Sequence, residues 1–333
     1  MRDLDQLTTA LRQFLPDGEG IVAIRALTTG FSNETYMIDG LDLILRLPPS
    51  AGAMLAGHDV IGQARIYQEL ATTTNAPTVP RVVAICPDAA IIGVPFFVME
   101  RVAGASIDDI TMAPWFLDGT DAIRNRVCRE WVGAFASLST LTPLATLGAV
   151  VSPADDMRVW RDFAGAANCP TLVGLFDRLL QIPAPISGPP ALVHGDPKLA
   201  NLMWHDGQIS AMLDWEMALN GEPLANLGYL LFQFDSEYHV GTRAPRQPGM
   251  LSRDEVIALW SQVSGRSAQG VFWHEIAQVG KIAAIIAEGV NMANTGRSND
   301  PRLEIFKQNI GYFLGVMATM LDAGEARIPE GRP

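Results

Sequence analysis

The sequence predicts an α+β protein of two lobes: a small N-terminal lobe built on an antiparallel β-sheet with one inserted helix, and a larger, mostly helical C-terminal lobe. Three observations predict it. Short runs rich in β-branched and aromatic residues crowd the chain before Gly104, long stretches of helical period follow it, and 333 residues suffice for one large core or two smaller ones. Hydrophobic residues make up 48% and charged residues 18%, the balance of a folded chain rather than a disordered one.

Residues 3 to 15 carry Leu4, Leu7, Leu11 and Phe14/Leu15 at helical spacing and read as an amphipathic helix. IVAIRAL, NETYMID and LDLILRLP read as three strands, separated by TTGFS and by a turn at Gly40. Helical spacing returns over about residues 58 to 72 through Val60, Ala64, Tyr67 and Leu70/Ala71. PTVPRVVAICPD and IIGVPFFVMERVAG then supply a fourth and a fifth strand. After Gly104, helices are expected over about 121–140, 155–182, 222–234, 253–264, 270–293 and 301–322, with short strands around 191–194, 201–204 and 209–213. No internal repeat or low-complexity segment interrupts this order, and the tail after Asp322 reads as a loose end.

Composition removes several function classes. A formal net charge of -12 argues against nucleic acid as a partner, because phosphate backbones select clustered Lys and Arg. No run approaches the roughly 20 apolar residues of a membrane helix; IAAIIAEGV is short and interrupted by Glu288. No membrane partner is therefore expected. The N-terminus MRDLDQLTTALRQFL lacks a signal-peptide core, so a cytoplasmic address is expected. Cys86, Cys128 and Cys169 have no CxxC spacing and read as reduced and structural. Gly18, Gly20 and Ala23 spell GxGxxA, but after a helix and before a strand, the reverse of a dinucleotide fingerprint. GxxxxGK[ST] and GxSxG are both absent.

The chemistry concentrates in LVHGDPKLANLMW, residues 192 to 204, where His194, Asp196, Lys198 and Asn201 stand on a short polar loop between apolar flanks. Such a loop suits a turn, a metal site or a phosphate site. His194, Asp196 and His205 lack the spacing of a zinc set, and His194 reads better as a ring that braces the loop. Thirteen residues beyond Asn201 comes Asp214, in AMLDWEMALNGEPLANLGY. If ISAMLDWE continues as a strand, Asp214 and Glu216 share a face and Trp215 turns to the core. Carboxylates together with Asn201 make a hard oxygen set, which selects magnesium over zinc. Magnesium held by few protein oxygens implies a phosphate-bearing substrate, and the order Asp, Lys, Asn, Asp matches a phosphoryl-transfer scheme.

HGDPKLAN followed by LDWE, and preceded by TGFSNETY and FFVMERVAG, resembles the aminoglycoside phosphotransferase and choline kinase family. Within it the chain is most similar to the phosphotransferase domains fused to some acyl-CoA dehydrogenases, through PRVVAICPD, IGVPFFVMERV and LDWEMALNGEPLANLGYL. The resemblance covers about residues 20 to 320. It implies a protein-kinase-like fold, with a nucleotide-binding lobe at 1–101, a hinge at about 99–103, and a C-terminal lobe at 104–333. That second lobe would hold the catalytic loop 194–201, the metal segment 214–216 and helices binding the acceptor. By the same resemblance Asp196 is the catalytic base or hydroxyl-orienting acid, Asn201 and Asp214 hold magnesium, and Lys198 neutralises the γ-phosphate. The loop at Gly30, Phe31, Ser32 and Asn33 covers the nucleotide phosphates, Arg46 clamps them, and the backbone of Met99, Glu100 and Val102 reads adenine. Glu216 is expected to cap or brace the following helix.

The activity so implied is ATP- and magnesium-dependent transfer of the γ-phosphoryl group to a hydroxyl of a small molecule. An antibiotic-like compound, a hydroxyacyl thioester and another hydroxylated metabolite all stay open, with Glu288, Asn291 and Asn294 offering polarity to an acceptor pocket beside Met292. Two departures keep a nucleotide-binding regulator without catalysis as the alternative. Gln63 stands where the family pattern has a Glu to pair with Arg46, Glu69 being a distant substitute. Glu222 and Asn226 stand where Asp is usual, so the catalytic loop would be braced by an amide.

Overall fold

A computed structural model of the chain describes residues 2–27, 33–50, 54–55, 59–108, 112–234 and 246–325. By its internal contacts the chain forms two compact units. The first comprises Met1–Gly104 with Ser210–Glu216, and the second Ala105–Ile209 with Met217–Pro333. Residues 214–216, expected with the second lobe, therefore pack with the first unit.

The first unit opens with α1 (Leu4–Phe14), started by Asp3, whose carboxylate accepts the N–H groups of Asp5 and Gln6. Then come β1 (Ala23–Ala26), β2 (Glu34–Asp39), β3 (Leu43–Leu47), α2 (Val60–Leu70), β4 (Val82–Cys86) and β5 (Phe96–Glu100). The strands form one antiparallel sheet in the order β1-β2-β3-β5-β4, as the sequence pattern required. Period-two alternation sorts their side chains. Ile24, Tyr36, Ile38, Leu45, Leu47, Phe96 and Val98 form a core with Leu7, Leu11 and Leu15. The intervening residues Arg25, Thr35, Met37, Ile44, Arg46 and Phe97 fall on the opposite face. α2 packs against β4 and β5, and the Tyr67 ring lies 6.0 Å from that of Phe97.

The second unit contains β6 (Ala105–Ser106), α3 (Pro114–Leu117), α4 (Asp121–Ser137), α5 (Pro153–Ala166), α6 (Pro170–Leu180), β7 (Ala191–Val193) and β8 (Leu202–His205). β9 (Gln208–Met212) carries the chain back to the first unit. β10 (Leu219–Gly221), α7 (Leu224–Phe234), α8 (Arg253–Ser264), α9 (Val271–Asn294) and α10 (Glu304–Glu325) follow. The single helix expected over 155–182 is two helices. The chain turns at Asn168 with φ +57, and Pro170, which has no N–H to give, starts α6. β6 pairs with β8 and β10 with β7; neither β6 nor β10 has enough length to leave a sequence pattern.

α9 overturns one expectation, since by length and composition it suffices to cross a membrane. Yet 72% of its apolar window is buried, because α5, α6, α7 and α10 all pack against it. Phe176, Leu179, Ile276, Val279, Met317 and Leu321 lie in the resulting core. α7 and α9 approach closely at Gly228, where an added Cβ would stand 2.7 Å from the His274 carbonyl carbon and 2.8 Å from the Glu275 nitrogen. Both obstacles are backbone and cannot swing aside. Gly228→Ala should therefore cost about 1–3 kcal/mol of stability, read as a lower urea midpoint at unchanged slope. A midpoint equal to wild type would show that the two helices tolerate separation.

Candidate active site

In the second unit, β7 delivers the polar loop and a single tight helical turn at Leu199–Asn201 closes it. Gly195 has φ +84, and a Cβ there would meet the Met217 carbonyl oxygen. Only glycine fits. His194 is fully buried, its ring edge-on to Phe135 at 5.1 Å, and its Nδ1 accepts the Asp196 N–H at 3.3 Å. Trp131 Nε1 donates to the Pro197 carbonyl at 2.9 Å. The ring of His194 thus braces the loop, as the sequence suggested.

The loop gathers its functional side chains on one carboxylate. Lys198 Nζ donates to Asp196 Oδ2 at 2.9 Å; Asn201 Nδ2 donates to the same oxygen at 3.0 Å and to the Asp196 carbonyl at 2.8 Å. Asp196 and Asn201 are buried, whereas Lys198 is partly exposed. Burial alone would raise the Asp196 carboxyl. The Lys198 ammonium outweighs it, helped by His194 and a hydrogen bond from Tyr229, and holds the group below the usual carboxylate range. Asn226 accepts the Gly195 N–H at 3.2 Å through Oδ1, so the amide does brace the loop; its Nδ2 is buried with no partner among the described residues. Glu222 accepts from Ser187 and from the Leu224 N–H at the start of α7, a capping role.

In the first unit the focus is Arg46 on β3. Its Nη1 donates to Thr35 Oγ1 at 2.9 Å and its Nη2 to Asp214 Oδ1 at 3.0 Å. The expectation of a guanidinium with no carboxylate is corrected: the partner comes from the segment after β9, not from α2, where Gln63 and Glu69 stand. The alternation expected for Asp214 and Glu216 is corrected as well. The strand ends at Met212, Asp214 takes a left-handed φ of +65, and Trp215–Met217 form a tight turn with the Trp215 side chain fully buried. Glu216, inside that turn and expected to cap or brace the following helix, instead accepts from Asn33 Nδ2 at 3.1 Å through Oε2, which ties the turn to the residue before β2. Asn33 also donates to Gln63 Oε1 at 3.4 Å, and the Asp214 N–H donates to the Tyr67 hydroxyl at 3.0 Å. Thr35 and Tyr67 had not been singled out for the site; Tyr67 follows Gln63 by one helical turn and shares its face. Gly30, Phe31 and Ser32 lie outside the described residues.

The sheet face opposite α1 also bears a cavity of about 580 Å³ lined by Leu27, Met37 and Ile44, with the ion pairs Arg25–Asp39 and Arg101–Asp42 at its rim. Met99 is paired in the ladder on both sides, to Ile44 and to Val82. The Glu100 N–H is held by the Arg81 carbonyl, and the Arg101 N–H by that of Asp42. Val102 makes no backbone hydrogen bond among the described residues. Its polar groups are thus available to a planar base where those of Met99 are not. Arg46 Nε is buried without a partner among the described residues, a donor that an anion such as phosphate would satisfy.

Magnesium would require hard oxygens. Asn201 has its amide nitrogen committed to Asp196, which leaves Oδ1, and Asp214 retains Oδ2 beside the oxygen held by Arg46. Each of these oxygens, taken within its own unit, is of the hard kind the ion takes. Among the described residues no three His, Cys, Asp or Glu side chains gather into a metal cluster, so protein carboxylates alone do not make a cage. Glu288, expected in an acceptor pocket, is buried and already accepts from Arg297 at 2.8 Å and from Asn291 at 3.1 Å.

Comparison with known proteins places these features in a family. The model of the phosphotransferase enzyme family matches residues 23–255, more than half of the chain. Acyl-CoA dehydrogenase family member 10 of Mus musculus is 30% identical over 210 residues, covering 60% of this chain and 19% of that protein. Acyl-CoA dehydrogenase family member 11 of Pongo abelii is 25% identical over 285 residues, covering 80% and 36%. The chain thus spans little more than a third, at most, of these curated relatives. A putative aminoglycoside phosphotransferase from Ralstonia eutropha superposes with a TM-score of 0.74 at 22% identity, covering 97% of this chain and 99% of the other. The GDP complex of aminoglycoside 2'-phosphotransferase-IIIa does so with a TM-score of 0.64 at 16% identity, covering 97% and 100%. These likenesses establish the kinase-like fold.

The Asp196–Lys198 pair carries a pH signature. A carboxyl whose folded pKa is depressed contributes stability above its unfolded value, and that contribution is lost as pH falls through the folded value. Lys198→Met should therefore be less stable than wild type at neutral pH, with the gap closing as acid passes below the ordinary carboxylate range. Urea unfolding at stepped pH measures this. A gap that stays constant down to acid pH would place the pair's effect elsewhere.

Proposed function

Because the chain belongs to the phosphotransferase enzyme family, we propose that it transfers the γ-phosphoryl group of ATP, with magnesium, to a hydroxyl of a small molecule. The observation that carries this reading is the buried Asp196, kept ionised by Lys198 and fixed by Asn201 on the HGDPKLAN loop. Transfer through a loose transition state needs positioning and charge neutralisation more than a strong base. Asp196 meets that need by accepting the acceptor's O–H, which aims the oxygen at the phosphorus and gives its proton a place to go. Lys198, partly exposed beside it, supplies positive charge toward phosphate oxygens. Arg46, with Nε unengaged and Nη2 on Asp214, supplies a second cation for the nucleotide phosphates. Asn201 and Asp214 would hold magnesium, which offsets phosphate charge when bound. The cavity beside Met37 and Ile44 offers an apolar floor to the base, and the backbone groups of Val102, unengaged among the described residues, are offered for its edge.

For the acceptor, the relatives' names favour a hydroxyacyl thioester, while the phosphotransferase neighbours favour an antibiotic-like polyol. Glu288 and Asn291 are committed to Arg297 and to each other, which weakens the case for a cation-binding wall there. Gln63 and Asn226 no longer argue for a regulator without catalysis, since Arg46 has its carboxylate in Asp214 and Gly195 has its acceptor in Asn226.

Incubation with ATP, magnesium and panels of hydroxyacyl thioesters, aminoglycosides, macrolides and simple hydroxylated metabolites should release ADP and add one phosphate mass to a single class. Asp196→Asn should leave ADP binding intact and lower kcat by roughly 10² to 10⁴. Arg46→Ala should raise the KM for ATP and lower kcat together, since it acts on bound nucleotide and on the transition state. ATP binding with no acceptor phosphorylated across the panels, and an Asp196→Asn variant indistinguishable from wild type, would end the reading.

A further inference from the structure

The segment bearing Asp214 is tied to α2 by a bond that phosphotransfer as described leaves unused. A left-handed backbone is unfavourable for a residue with a side chain, by roughly 1–2 kcal/mol, so the φ of +65 at Asp214 must be held by its surroundings. The holder is visible: the Asp214 N–H donates to the Tyr67 hydroxyl at 3.0 Å. Tyr67 is buried and its ring lies against Phe97, so the oxygen cannot follow a drifting backbone. One turn earlier on α2, Gln63 accepts from Asn33, which in turn donates to Glu216. α2 therefore reaches both ends of the segment 214–216, Asp214 through Tyr67 and Glu216 through Gln63 and Asn33.

We propose that Tyr67 is a positioning residue for magnesium binding: by accepting the Asp214 N–H it fixes the left-handed backbone that presents the Asp214 carboxylate, and so couples α2 to the metal. The inference rests on the phosphotransfer reading in taking Asp214 as a metal ligand. It gives the neutral Gln63 a place as well. With no carboxylate on that turn of α2, Arg46 keeps Asp214 as its anionic partner, and Tyr67 holds the same residue by its backbone.

Calorimetric titration of ADP into the full chain, with magnesium and with EDTA, tests it. Wild type should bind ADP more tightly with magnesium. Tyr67→Phe, which deletes one oxygen from a packed ring, should match wild type in EDTA and lose roughly tenfold of the magnesium-dependent gain, the consequence of one orphaned buried N–H. In an Asp214→Asn background, where the anionic ligand is gone, the same change should make no further difference to that gain. Melting curves on all four proteins verify folding. A Tyr67→Phe protein that keeps the whole magnesium gain overturns the inference and leaves the phosphotransfer reading intact; so does an equal loss of affinity with and without magnesium, which marks mere packing. Wild type that binds ADP no better with magnesium overturns both.

Discussion

A guanidinium set into a sheet and largely removed from water needs an anion, and in the first unit that need is met by a segment more than a hundred residues away in sequence. Arg46 keeps only 15% of its side chain exposed, and a cation so buried without a partner would cost several kcal/mol. Asp214 answers it. The pairing explains why Ser210–Glu216 packs with Met1–Gly104, and smaller bonds follow the same path: Ser210 Oγ to the Ala103 carbonyl, the Met212 N–H to that of Thr78, the Asp214 N–H to Tyr67. The carboxylate proposed for magnesium is thus placed by electrostatic demand within its own unit.

The second unit solves the converse problem, a buried anion. Asp196 is surrounded by donors from its own loop, Lys198 and Asn201, and the loop is held by His194, Trp131 and Asn226. The charge balance is local because the loop is only a few residues long. The Nδ2 of Asn226, without a partner among the described residues, is the visible cost of placing an amide where a carboxylate would offer acceptors only.

Much of this was legible in the sequence because it depends on short-range pattern. Alternation gave the five strands, helical spacing gave α1, α2 and the long C-terminal helices, and the spacing within HGDPKLAN gave a cluster that the fold does gather around one carboxylate. What escaped was decided by long-range contact. The break at Asn168 replaced one expected helix by two, although Pro170 advertised it. The partner of Arg46 was sought on the neighbouring helix, because the usual pairing is local, and was found instead at Asp214. Strand alternation was extended through residue 216, but a left-handed Asp214 is a backbone choice that Tyr67 stabilises and that no periodicity encodes. α9 was expected as a helix but not as one apolar enough to cross a membrane, because Glu288 interrupts IAAIIAEGV; in the fold that carboxylate has Arg297 as its partner.

The return of the chain along β9 has a consequence for its synthesis. The first unit is sequence-discontinuous: its last piece, Ser210–Glu216, emerges only after the 105 residues of Ala105–Ile209 have been made. At about 5–20 residues per second, the sheet of the first unit waits on the order of ten seconds for the carboxylate that neutralises Arg46. During that interval the nascent sheet holds an uncompensated cation on one face. Pairing of Arg46 is therefore timed by translation of the segment that interrupts the unit, and a ribosome that pauses before residue 214 leaves Arg46 open to any anion at hand.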